Sequence, residues 1–269
     1  MTALVPESVT VPGLARMKKA GHKIAMMTAY DATFARAMDD AGMDAILIGD
    51  SLGMVIQGRK TTVPVLLEDM VYHTRCVARG VARALLIADM PFLSFQGAAE
   101  DALAGAGALM RAGAHMVKVE GAGVLTENVA YLCARGIPVC GHIGLTPQFV
   151  HSLGGFRVQG RGAASAALKA QAQELAMAGA SALVLEAIPA ALAAEITADI
   201  PVPTIGIGAG SACDGQVLVM HDALGLGARR PRFVRDFVAG GRSIDGAFRA
   251  YIEAVRAGTF PSPDESYSE

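Results

Sequence analysis

The run AILIGD, residues 45–50, is five apolar or small residues closed by a carboxylate, and its reading decides the fold. A strand buried on both faces reads as a continuous apolar stretch, so a charge at its last position sits where the strand leaves the core. The same ending recurs: LLIAD closes at Asp89, MVKVE at Glu120 and ALVLE at Glu186. In parallel α/β folds that edge carries the chemistry, so four acids at strand ends outline one acidic site.

Outward from these four, further apolar runs complete a set of eight candidate strands: IAMMTAY, AILIGDS, LLIADMPF, MVKVEG, PVCGHIG, ALVLEAIP, PTIGIGAG and VLVMHDALG. Helical periodicity lies between them, clearest over Leu67, Met70, Val71, Thr74, Val77 and Ala78, with Glu68 and Asp69 in the first turn and Gly80 as a stop. AGMDA, AGAHM and AGASA precede strands two, four and six, each a helix end whose Gly permits the turn into the next strand. The pattern predicts α/β architecture, a (β/α)8 TIM barrel spanning the 269 residues as a single domain. The barrel is expected over 23–225, a C-terminal helical tail in two pieces over 231–258, and a frayed end in FPSPDESYSE.

An open doubly wound sheet is the competing fold, but the first strand ends in TAYD rather than a G-x-G-x-x-G turn. GIGAG at 206–210 reads either as a loop whose backbone approaches a ligand or as a tight packed turn. SLGGFRVQGRG, residues 152–162, reads as a lid at the barrel mouth, with a plain surface loop as its alternative.

A hydrophobic fraction of 52% with 18% charged residues places the chain among globular proteins. A net charge of -2 and the lack of any Lys/Arg run argue against nucleic acid as a partner. Every apolar stretch is broken by charge, Gly or Pro before about 18 residues, which argues against a membrane helix. MTALVPESVTVPGLARMKK lacks the unbroken apolar stretch of a signal peptide, so the expected location is the cytoplasm. Cys76, Cys133, Cys140 and Cys213 form no CxxC pair and are expected as buried free thiols.

Asp50 and Asp89 end neighbouring strands about 4.8 Å apart, close enough to share one hard divalent ion such as Mg²⁺, with Glu120 completing the shell directly or through water. For each acid taken alone, an ion pair with a nearby Arg or Lys is the alternative. Lys118 lies two residues before Glu120 and points to the same side, where it neutralises an acid, binds an anionic substrate or forms a Schiff base. Glu186 faces the other acids across the barrel as a candidate general base. His142 could orient a substrate or be a backbone-bonded core histidine, and Ser51 could hydrogen-bond a substrate carboxylate.

Together TAYDATFARAMDDAGMDAILIGDSLGM, ADMPF, MVKVEG, CGHIGLTPQ, GGFRVQGRG, VLEAIP, IGIGAG and DGQVLVMHDALG resemble the 3-methyl-2-oxobutanoate (ketopantoate) hydroxymethyltransferase family over about Val11 to Phe260. The resemblance implies a (β/α)8 barrel and Mg²⁺-dependent transfer of a one-carbon unit from 5,10-methylenetetrahydrofolate to a keto acid in pantothenate biosynthesis. It also implies a homo-oligomer, often a decamer. By position it implies Asp50 and Asp89 as metal ligands, Glu120 in the metal shell, Ser51 and Lys118 on the keto acid, and Glu186 as proton acceptor. Two other readings stay open: a metal-dependent carbon–carbon lyase of the isocitrate lyase type, which usually requires a reactive loop cysteine, and a keto-acid-binding barrel without catalysis.

Overall fold

Alternate residues of each strand face two different interiors. The computed structural model describes residues 8–227 and 230–268. In it β1 (Ile24–Thr28), β2 (Ala45–Ile48), β3 (Leu85–Asp89), β4 (Met116–Glu120), β5 (Val139–Gly144), β6 (Ala182–Glu186), β7 (Thr204–Ile207) and β8 (Gly215–Leu218) close into a parallel barrel in sequence order. Leu86 and Ala88 pack outward with the helices, as do Val117 and Val119. Leu85, Ile87, Met116, Cys140 and Val184 fill the barrel interior with the other inward residues. The period of two therefore sets Asp89 above Leu85 and Ile87, Glu186 above Ala182 and Val184, and Glu120 above Lys118 and Met116, at the C-terminal face.

The opposite end is plugged by helix Val11–Lys19, whose Leu14 packs among Ile24, Ala45 and Leu85. Thr10 caps that helix by accepting from Gly13 N, and Lys18 pairs with Asp214 at 2.8 Å. Gly42, Gly113 and Gly179 of the three repeated segments all take positive φ, as the turn out of each helix requires. Helix Ile244–Arg256 covers the seam where the barrel closes: buried Tyr251 donates its hydroxyl to Met26 O at 2.8 Å and Gln216 O at 2.9 Å. Among the described residues no helix is long and apolar enough to cross a membrane.

Three expectations need correction. The eighth strand begins at Gly215 rather than Val217 and ends at Leu218, because pairing with Ile24–Met27 of β1 sets its register; His221 and Asp222 lie on a short helix, Met220–Ala223. Of the two helical pieces expected after 231, only the second forms. In the first, Asp236 Oδ1 accepts from the backbone of Val238 and Ala239, which competes with helical bonding, and Phe237 turns in against Tyr251 and Phe260. Residues 260–268 of the expected frayed end are ordered: Phe260 is buried, and Pro189 and Tyr267 form a parallel bridge, while Glu269 lies outside the described residues.

Candidate active site

Register brings the candidate side chains together. Asp89 is the direct partner of Lys118, and Glu120 the direct partner of His142. Glu186 is the partner of Gly144, two residues beyond His142 on the same face. Hence Lys118 Nζ lies 3.2 Å from Asp89 Oδ1, 3.7 Å from Glu120 Oε1 and 3.0 Å from His142 Nδ1. His142 Nδ1 is 3.4 Å from Glu120 Oε1, and its Nε2 is 3.1 Å from Glu186 Oε2. Asp50, two residues beyond the end of β2, donates its backbone N–H to Asp89 Oδ2 at 3.0 Å.

All of these side chains except Glu186 are nearly inaccessible, and together they form the floor of a cavity of about 940 Å³ at the C-terminal mouth of the barrel. Three buried carboxylates share one ammonium. Burial, reinforced by Asp89 and Glu120, holds the Asp50 carboxyl well above the usual range. Burial also raises Asp89, although Lys118 opposes it. Glu120 is lowered, because Lys118 and His142 outweigh its burial. Burial disfavours the Lys118 ammonium, but Asp89, Glu120 and Asp50 overcome this and hold it above the ordinary lysine range. Burial and Lys118 lower the His142 imidazole, yet its contacts with Glu120 and Glu186 win and push it to about 8.

Gln148 ties the floor together and was not singled out by sequence reasoning. Its backbone N–H donates to Glu120 Oε2 at 2.9 Å, and its Nε2 donates to Asp50 Oδ2 and to Met90 O, each at 2.9 Å. Gln96 Nε2 in turn donates to Gln148 Oε1 at 3.0 Å. The signal was present in GLTPQ, where the short helical turn Pro147–Phe149 follows β5. Ser51 Oγ lies within hydrogen-bond distance, 2.9 Å, of the buried Tyr30 hydroxyl, and that hydroxyl donates to Thr28 Oγ1 at 2.9 Å. Tyr30 was likewise missed, although it stands in the AYD motif.

Among the described residues, no three His, Cys, Asp or Glu side chains are arranged to hold a metal ion by themselves. Asp50 and Asp89 could nevertheless hold a hard cation that takes its remaining oxygens from water and substrate, as Mg²⁺ does. One observation fits this: buried Asp89 Oδ1 accepts no hydrogen bond of good geometry and has the Lys118 ammonium 3.2 Å away. Glu120 is already engaged by Gln148, His142 and Lys118, which leaves it best suited to orienting the floor.

Phe156, Arg157 and Val158 of the expected lid line the cavity, whereas Gly208 and Gly210 of GIGAG do not. The four cysteines are free; Cys140 and Cys213 are buried and Cys76 and Cys133 partly so. Burial pushes the Cys140 thiol up to about 12. His221 stacks obliquely on Tyr30 at 5.6 Å between ring centroids, outside the cluster.

The sequence model described as "Ketopantoate hydroxymethyltransferase" matches residues 8–263. The 3-methyl-2-oxobutanoate hydroxymethyltransferase of Xylella fastidiosa (strain M12) is 57% identical over 262 residues, covering 96% of each chain. That of Thiobacillus denitrificans is 55% identical over 260 residues, covering 96% of this chain and 99% of its own. Among solved structures, phosphoenolpyruvate phosphomutase from Streptomyces platensis subsp. rosaceus superposes with a TM-score of 0.61 at 15% identity, over 79% of this chain and 81% of that one, a likeness of fold.

Proposed function

The chain belongs to the ketopantoate hydroxymethyltransferase family, and from that membership we propose that it transfers the one-carbon unit of 5,10-methylenetetrahydrofolate to 3-methyl-2-oxobutanoate, giving 2-dehydropantoate and tetrahydrofolate. This is the first committed step of pantothenate biosynthesis. The observation that carries the reading is the floor itself: Asp50 and Asp89 side by side, Lys118 beside Asp89, and Glu186 held at the opposite wall by His142.

Asp50 and Asp89 would hold Mg²⁺, which when bound supplies Lewis-acid polarisation of the keto acid. Lys118 and Ser51 bind and orient the substrate's oxygens, the hydroxyl of Ser51 being aimed by Tyr30. Glu186 removes the proton from C3, and His142, 3.1 Å away, steadies the carboxylate that receives it. Water opens the donor's methylene bridge: both of its carbon–nitrogen bonds break, the two nitrogens end as N–H groups of tetrahydrofolate, and the carbon leaves as formaldehyde. The C3 carbanion adds to that carbonyl, whose oxygen takes up the proton held by Glu186 and becomes the product's hydroxyl. Phe156, Arg157 and Val158 close over the mouth as a lid that excludes further water.

A Schiff base at Lys118 needs a neutral amine, and three carboxylates keep this one charged. The lyase alternative usually requires a reactive loop cysteine, whereas Cys140 is a buried strand residue whose thiol resists ionisation. A purely binding barrel has no use for a carboxylate poised beside an imidazole at the substrate wall. The protein is read as a cytoplasmic homo-oligomer, with a decamer implied by the family resemblance; free thiols suit a reducing compartment. The test is turnover of the two substrates by purified protein with Mg²⁺, and its loss on chelation. Absence of 2-dehydropantoate under these conditions overturns the assignment.

A further inference from the structure

The carboxylates and the aromatic rings of the cavity come from different parts of the chain. The acids end strands or follow them directly, whereas Phe156, Phe233 and Tyr267 stand on the loop after β5, the segment after β8 and the C-terminal end. Tyr267 is fixed by its backbone, since Ala190 N donates to Tyr267 O at 2.9 Å. Around it, Arg235 grips Glu265 with two hydrogen bonds of 2.8 and 2.6 Å, and Arg161 Nη2 donates to Ser268 O at 3.2 Å. The Phe233 and Tyr267 rings meet edge to face, with centroids 6.4 Å apart at 71°.

GIGAG makes room for this pair. Gly208 has φ +63°, and a Cβ there would lie 2.7 Å from Phe233 Cδ1 and 3.2 Å from Tyr267 Cε2. The glycine lets both rings settle on the loop after β7, which decides between the two readings of that motif in favour of the packed turn. A small branched keto acid offers no flat face to such rings, and its volume is far below that of the cavity. The bicyclic ring system of the folate donor is flat and needs a wall.

We infer that Phe233 and Tyr267 form the wall against which the bicyclic ring of the one-carbon donor packs, with Tyr267 a specificity-determining residue supplied by the C-terminal segment. This rests on the transfer reading above. Two reactions separate the compartments: exchange of the keto acid's C3 proton with D₂O without folate, and the full transfer. Tyr267→Ala is expected to raise KM for 5,10-methylenetetrahydrofolate about tenfold while exchange stays within about twofold of wild type. Tyr267→Phe, which keeps the ring, is expected to restore wild-type KM. An unchanged folate KM in Tyr267→Ala overturns the inference, as does an equal loss of exchange and transfer, which would make the segment a support for the floor. Wild-type protein that exchanges without transferring overturns the folate assignment itself, and the inference with it.

Discussion

Asp89 and Lys118 are direct cross-strand partners on β3 and β4, and their Oδ1 and Nζ atoms lie 3.2 Å apart inside the barrel. The pair puts the single ammonium of the floor among three carboxylates, so removing it leaves buried negative charge without compensation. Lys118→Met is expected to cost the metal-free protein about 3–5 kcal/mol in urea unfolding at neutral pH. The loss should shrink as pH falls and the carboxylates take up protons. A variant as stable as wild type at neutral pH would show that the ammonium does not neutralise the floor.

The same charge imbalance predicts opposite effects of Asp50→Asn on stability and on function. Asp50 has a folded pKa above its unfolded one, so its ionisation in the folded state lowers stability as pH rises above the unfolded value. Asp50→Asn should therefore raise the melting temperature in chelator at neutral pH, yet abolish the rise that Mg²⁺ gives wild type. At 100 times Kd that rise corresponds to about 2.7 kcal/mol. A variant that keeps the Mg²⁺-dependent shift removes Asp50 from the cation site.

Gln148 reaches Asp50 and Met90 through one amide group. Gln148→Leu keeps the bulk but frees Asp50 Oδ2, and the expected outcome is a loss of about 10- to 100-fold in Mg²⁺ affinity with the fold intact. Titration calorimetry checks the affinity, and circular dichroism the fold.

The legible part of this molecule was the part written in apolar runs. Parallel strands buried on both faces leave a plain mark, and a terminal acid such as Asp89 or Glu120 stands out against it. β8 was placed two residues late because Gly215 and Gln216 are not apolar; their pairing with Ile24 and Ala25 lies far away in sequence. Gln148 escaped because its partner Asp50 is 98 residues distant. Tyr267 escaped because a polar C-terminal stretch carries no local sign that Ala190 will hold it.

His142 supplies a pH signature. Its folded pKa of about 8 exceeds the ordinary 6.5, so the stability it contributes is fully present below about 6.5 and is lost as pH rises through about 8. The shift corresponds to about 2 kcal/mol. Stability of metal-free wild type should fall by that order between about pH 6 and pH 9 relative to His142→Asn. Parallel curves for the two proteins would show that Glu120 and Glu186 do not hold the imidazolium.

The central claim is that Glu186 takes the C3 proton above a cation held by Asp50 and Asp89. The most direct measurement follows deuterium incorporation at C3 of 3-methyl-2-oxobutanoate by NMR in D₂O, with Mg²⁺ and without folate. Wild type should exchange the proton, and both chelation and Glu186→Gln should abolish exchange, with keto-acid affinity little changed in the variant. Exchange that persists at the wild-type rate in Glu186→Gln would contradict the account and move the base elsewhere on the floor.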